Sequence, residues 1–199
     1  HRSVDALTAA NLVSVEDEGN RLLRPRHPLY GQLVRHMVPA ARSARLRQRV
    51  QEVMPDDTES MDGLLRSVGW SLDCGAGVPD AQLLRAAYMA NNFFDSDFAL
   101  RAAGEIKDPA LLPAGRIQKA RAHYNRGNFD AARELVTGTV EGAADLTTAK
   151  LGTLLRVQLL QGFAGAADGL QEAHTAWEAA IRRIEAAAQA SGTLDDELR

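Results

Sequence analysis

The thirteen residues Ala120-Arg121-Ala122-His123-Tyr124-Asn125-Arg126-Gly127-Asn128-Phe129-Asp130-Ala131-Ala132 decide the fold. Ala120, Tyr124, Gly127, Phe129 and Ala132 stand in the order A-x3-Y-x2-G-x-F-x2-A. Alanines on the facing sides let two helices approach closely, the glycine lets the chain turn between them, and the aromatics wedge the pair apart at its open end. The block has an echo upstream, because Asn92-Phe93-Phe94-Asp95 matches Gly127-Asn128-Phe129-Asp130 at an offset of 35 residues. One further step of that length reaches Gly162-Phe163-Ala164-Gly165. Periods in the mid-thirties are the mark of two-helix solenoids, in which each hairpin buries its apolar face only against its neighbours.

Outward from this block the helical period continues. Thr58 is placed to cap a helix with Met61, Leu64, Leu65, Val68 and Leu72 on one stripe, ended by Gly75 and Gly77. Pro79 opens another helix, with Leu83, Leu84 and Ala87 inward. The last helix is read over 166–190, with Leu170, Ala173, Trp177, Ile181 and Ile184 on one face, followed by an acidic tail at Asp195, Asp196 and Glu197. The whole is expected to be mostly α: antiparallel helical hairpins of the tetratricopeptide-like type over residues 51–199, in which Arg121 and Tyr124 are the candidate partner-binding residues of the hairpin groove.

Residues 1–50 read differently. Ser3 is placed to cap a short helix with Val4, Leu7 and Leu12 as its apolar positions. Two short extended runs follow, separated by Gly19 and Asn20, which tolerate the positive φ of a tight turn. Helix, two-strand ribbon and helix make the C-terminal half of a winged-helix domain, too small to close a core by itself. Pro28 and Pro39 suit the first turns of two helices. The second helix carries Arg42, Arg45, Arg47 and Arg49 around Leu46, Val50 and Val53. Such a face either stays solvated, with its stems over apolar surface, or meets another domain or a phosphate-bearing partner. Arg42, Arg45 and Arg49 are the candidates for that contact.

The sequence sets bounds on chemistry. With 45% hydrophobic and 25% charged residues and a net charge of −3, the 199-residue chain has the composition of a folded protein and lacks the basic excess of a nucleic-acid binder. One cysteine, Cys74, rules out an intrachain disulfide and reads as a small buried hydrophobe. No run approaches the roughly 18 apolar residues of a membrane span, so a cytoplasmic setting is expected. No phosphate loop, dinucleotide fingerprint, nucleophile elbow or zinc-protease motif occurs, and the five histidines at 1, 27, 36, 123 and 174 share no ligand spacing. The expectation is a chain that is not an enzyme, with no catalytic residue, metal site or cofactor of its own.

The run "RHPLYGQLVRHMVPAARSARLRQRV", from Arg26 to Val50, resembles a segment of the large LuxR-type transcriptional regulators that contain a switch ATPase. In that family the winged helix ends in a short ribbon, then H-P-L-Y, then an arginine-rich helix. Leu83-Leu84-Arg85-Ala86-Ala87 and the series Asp95, Ala99, Ala103 fit the family's next helices loosely, with Phe98 in place of a small residue. The resemblance implies that His27 senses nucleotide in the parent protein, by reaching the phosphates of bound ADP. It implies as partners the other domains of the same regulator and an inducer or a protein or peptide, with no direct DNA contact by this segment and no membrane. A different reading of the same residues is a plain helical-repeat scaffold that holds a peptide without switching.

Overall fold

In the computed structural model, residues 2–17, 21–53, 58–160 and 166–191 are described. Among them are ten helices and one two-stranded antiparallel sheet, so the chain is mostly helical. It divides into two compact units, residues 1–54 and 55–199.

The first unit begins with helix α1 (Arg2–Ala9). Ser3 lies inside this helix and does not cap it. Strands β1 (Val13–Asp17) and β2 (Arg21–Pro25) pair with Val15 opposite Leu23. The Arg26 N–H donates to the Leu12 carbonyl at 3.0 Å and carries the ladder one step past the strands. The turn expected at Gly19 and Asn20 lies outside the described residues. Helix α2 (Pro28–Met37) starts on proline, whose missing N–H would have had no partner in a first turn. Helix α3 (Ala40–Val53) follows directly, and the Pro39 carbonyl accepts from Arg42 and Ser43 N–H. No described side chain of residues 2–53 is buried.

The second unit buries apolar residues from every helix. Helix α4 (Met61–Cys74) is capped by Ser60, whose hydroxyl accepts from Gly63 N–H at 3.1 Å. The cap expected at Thr58 therefore falls two residues later, because Ser60 sits at the spacing from which a side-chain oxygen meets the N3 amide. Gly75 ends the helix at φ 68, in the left-handed region. Next come α5 (Asp80–Asn92), α6 (Ser96–Gly104), α7 (Leu112–Asn125), α8 (Phe129–Val136), α9 (Leu146–Leu160) and α10 (Ala166–Ser191). The pairs α5/α6, α7/α8 and α9/α10 pack as hairpins, and α7 lies against both α5 and α9.

Leu64, Val68 and Leu83 meet Ala86, Ala87, Ala102, Ala103 and Ile106 in one cluster. Ala120, Ala132, Val136, Leu155 and Leu159 form the next, and Val140, Ala143, Ala149, Ala176 and Ala180 a third. The preponderance of alanine sets the helices close together. Gly152 marks one such close approach, since a Cβ there would stand 2.8 Å from Val140 Cγ2 and 3.1 Å from Ile117 Cδ1. On α10 the buried residues are Ala173, Ala176 and Ala180, while Leu170, expected inward, is 45% exposed.

The hairpin turns correct the sequence register. Asp95 and Asn128 each precede a helix, and their amides reach back to Ala90 and His123 in the same five-residue closure. Phe94 and Gly127 each take the positive φ just before, 60° and 76°. The structural offset is therefore 33 residues, the step from Asp95 to Asn128, and not 35. Phe94 stands where the next hairpin has glycine, and Phe129 matches Ser96. The third block, 162–165, lies outside the described residues.

Candidate functional site

Three groups of side chains carry the sequence-based candidates. The first is the junction between β2 and α2. His27 is the N-cap of α2, with extended backbone (φ −128, ψ 133), and its Nδ1 accepts from Leu29 N–H at 3.2 Å. Once Nδ1 accepts, the ring proton of the neutral imidazole resides on Nε2. The side chain is exposed and its ring tilts against Tyr30, with centroids 5.7 Å apart. An N-cap histidine of this kind offers one outward donor at a helix start, a fit for an anionic oxygen.

The second group lies on α3. Arg42, Arg45 and Arg49 are exposed and, with Leu46, line an open groove. Arg47 is half-buried on the other side of the helix and donates to Gln51 Oε1 at 2.9 Å. Helical geometry thus gathers the three candidates on one face and sets the fourth arginine apart.

The third group is on α7. Arg121 donates to Asn92 Oδ1 at 2.9 Å and its guanidinium lies 5.7 Å from the centre of the Tyr88 ring. Tyr124 turns the other way, edge-on to Phe129 at 5.5 Å, and packs on the cluster of Ala120, Ala132 and Val136. The two candidates therefore belong to different contacts, one to α5 and one to α8. Sequence reasoning missed the polar ladder between α5 and α7. Asn91, only 1% exposed, donates through Nδ2 to the Gln118 carbonyl (2.9 Å) and to Gln118 Oε1 (3.1 Å), and Asn125 Nδ2 donates to the Asn91 carbonyl at 3.2 Å. The double Asn91-Asn92 at the end of an apolar helix was the available signal. Beside it, Tyr88, Phe93 and Phe94 are exposed, at 41%, 61% and 76%.

Asp80 holds the loop before α7. Its Oδ2 accepts from Lys107 N–H at 2.8 Å and Asp108 N–H at 2.5 Å. The amides of Asp108 and Lys107, in that order, hold its carboxyl below the ordinary value of 3.8. Arg101 with Asp73 and Arg126 with Asp97 add exposed ion pairs between neighbouring helices. Among the described residues, no three His, Cys, Asp or Glu side chains gather as a metal site, and no helix is long and apolar enough to cross a membrane. Cys74 is half-buried at the end of α4. No protein-family model matches the chain, and neither the curated proteins nor the solved structures hold a significant match to it.

Proposed function

We propose that this chain is the sensing and protein-interaction module of a LuxR-type transcriptional regulator, coupling an inducer or partner to an ATPase switch carried by other residues of the regulator. The observation that supports it most is the junction: a β-ribbon, then His27 capping a proline-started helix, then the arginine-rich α3. In this reading the ribbon and α2 are the end of a winged helix. The hairpins α5/α6, α7/α8 and α9/α10 are tetratricopeptide-like repeats that form the sensor, and the protein works in the cytoplasm without catalysis of its own. His27 holds ADP through Nε2–H, and Arg42, Arg45 and Arg49 meet a neighbouring domain. Coupling then needs two states with different contacts at the joint from His27 to Arg49.

The test is nucleotide retention in the regulator that carries these residues. His27→Ala is expected to speed ADP loss at least tenfold and to raise transcription without inducer. Unchanged ADP retention overturns the role of His27.

A second reading, a peptide-holding scaffold without switching, draws on the exposed aromatics Tyr88, Phe93 and Phe94 next to Arg121. Altering Arg121 and Tyr88 would abolish peptide capture in that case and leave ADP retention untouched.

A further inference from the structure

From Gly19 to Gln51 the sequence has eight arginines and no Asp or Glu. Residues 1–54 hold nine Arg and five acidic side chains, net +4, whereas residues 55–199 hold 14 basic and 21 acidic ones, net −7. The modest charge of the whole chain hides a strongly cationic first unit.

Helix α3 organises part of that charge. At 100° per residue, Arg45, Arg49, Arg42, Val53, Leu46 and Val50 fall, in that order, within an arc of about 140°. The half-buried residues Ser43, Ala44, Arg47 and Gln51 occupy the opposite arc. On the outer arc Leu46 is 43% exposed, Val50 44% and Val53 82%. Among the described residues, Arg42, Arg45 and Arg49 have no ion-pair partner. Along the middle of this face the series Arg42, Leu46, Arg49, Val53 runs i, i+4, i+7, i+11, the spacing of a helix–helix seam.

We propose that α3 docks an acidic amphipathic helix of a protein partner, whose carboxylates pair with Arg42, Arg45 and Arg49 while its aliphatic side chains cover Leu46, Val50 and Val53. Guanidinium forks match carboxylates in a bidentate fashion, and a helix with one mixed face is read by anchors at i, i+4 and i+7. The same face argues against other partners. A membrane-surface helix needs an apolar arc of about 100° or more with its cations on the far side, and here Arg42 and Arg49 sit on the seam itself. Nucleic acid would set phosphates against Leu46 and Val53. A second copy laid symmetrically on α3 would oppose arginine to arginine. The proposal rests on the domain-contact role given above to these three arginines and not on the role of His27.

The probe is a fluorescein-labelled 21-residue helical peptide with Glu and Leu alternating along one seam, titrated with the full 199-residue chain at low salt and followed by anisotropy. Binding is expected to weaken at least tenfold in the triple variant Arg42→Glu, Arg45→Glu, Arg49→Glu, and at least fivefold in Leu46→Asn. A matching Lys/Leu peptide should then bind the triple variant and not the unaltered chain. All four positions are exposed, so the variants keep their helicity, which circular dichroism checks. No binding of the Glu/Leu peptide overturns the proposal. So does equal binding of a leucine-free glutamate peptide, or arginine-dependent binding of duplex DNA or phosphatidylserine vesicles in its place. ADP retention is read separately, so failure here and failure at His27 are distinct results.

Discussion

The two units of the chain use the same kinds of residue in opposite ways. In residues 61–191 the core is built mainly of small apolar side chains: alanines in every cluster, with Leu64, Val68 and Leu83 almost fully covered. In residues 2–53 the apolar side chains are large and open, with Leu29 and Leu33 both 59% exposed and Met37 71%. An Ala-rich pair of helices closes on itself, because close approach replaces water with contact on both sides. A helix with Leu and Met on its outer arc has no such closure within its own unit. Large exposed aliphatics next to arginine are the composition on which the proposed docking of a partner helix rests.

The largest test of that difference is in the cores. Leu64→Ala should lower the stability of the second unit by about 3 kcal/mol, from lost transfer energy and a residual cavity. Leu33→Ala, the same chemical change on α2, should alter the unfolding midpoint by less than about 0.5 kcal/mol, in the range of exposed sites. Equal losses at the two positions, measured by denaturant unfolding, would break the comparison.

A smaller effect separates the two hairpin turns. Phe94 holds φ 60, where a bulky residue is strained by roughly 1 kcal/mol, and Gly127 holds φ 76 at little cost. Phe94→Gly should therefore stabilise by about 1 kcal/mol, and Gly127→Ala should destabilise by about the same amount. The pair sharpens the point if stability rises at one turn and falls at the other. If both fall, the Phe94 ring contributes a contact that outweighs its backbone strain.

The smallest effect is electrostatic. The Asp80 carboxyl is held below 3.8 by two backbone amides, so its contribution is present above the unfolded value and lost as pH falls through the folded one. Asp80→Asn should lower stability slightly at neutral pH and flatten the acid limb of the stability curve, so that the two proteins converge as pH falls below about 4. An unchanged acid limb in unfolding scans from pH 3 to 6 would remove Asp80 from the account.

Helices such as α2 and α4 were legible because their signals are local. The stripe through Leu64, Val68 and Leu72, the left-handed stop at Gly75 and the proline start at Pro28 need only local rules. The repeat offset was misread for a physical reason. Phe94-Asp95 and Phe129-Asp130 share letters, but the register is set by where the chain turns left-handed, and Phe94 occupies that place without being glycine. Thr58 lost the cap to Ser60 on a matter of two residues. Among the candidate residues, the position of His27 at the start of α2 followed from Pro28, and the gathering of Arg42, Arg45 and Arg49 followed from their spacing. The partners of Arg121 did not, because Tyr88 and Asn92 reach it only through the packing of α5 on α7. Contacts between hairpins depend on how the helices stack, which no local pattern encodes.

That stacking has a kinetic consequence. The longer-range side-chain bonds within residues 58–191, from Arg156 on Glu141 to Arg183 on Ala143, span 15 to 40 residues. Each hairpin thus needs only its neighbours to form. Contacts that reach no farther along the chain than this favour rapid folding. Amide protons of α7, flanked by α5 and α9, should exchange with solvent most slowly, and those of α10 sooner.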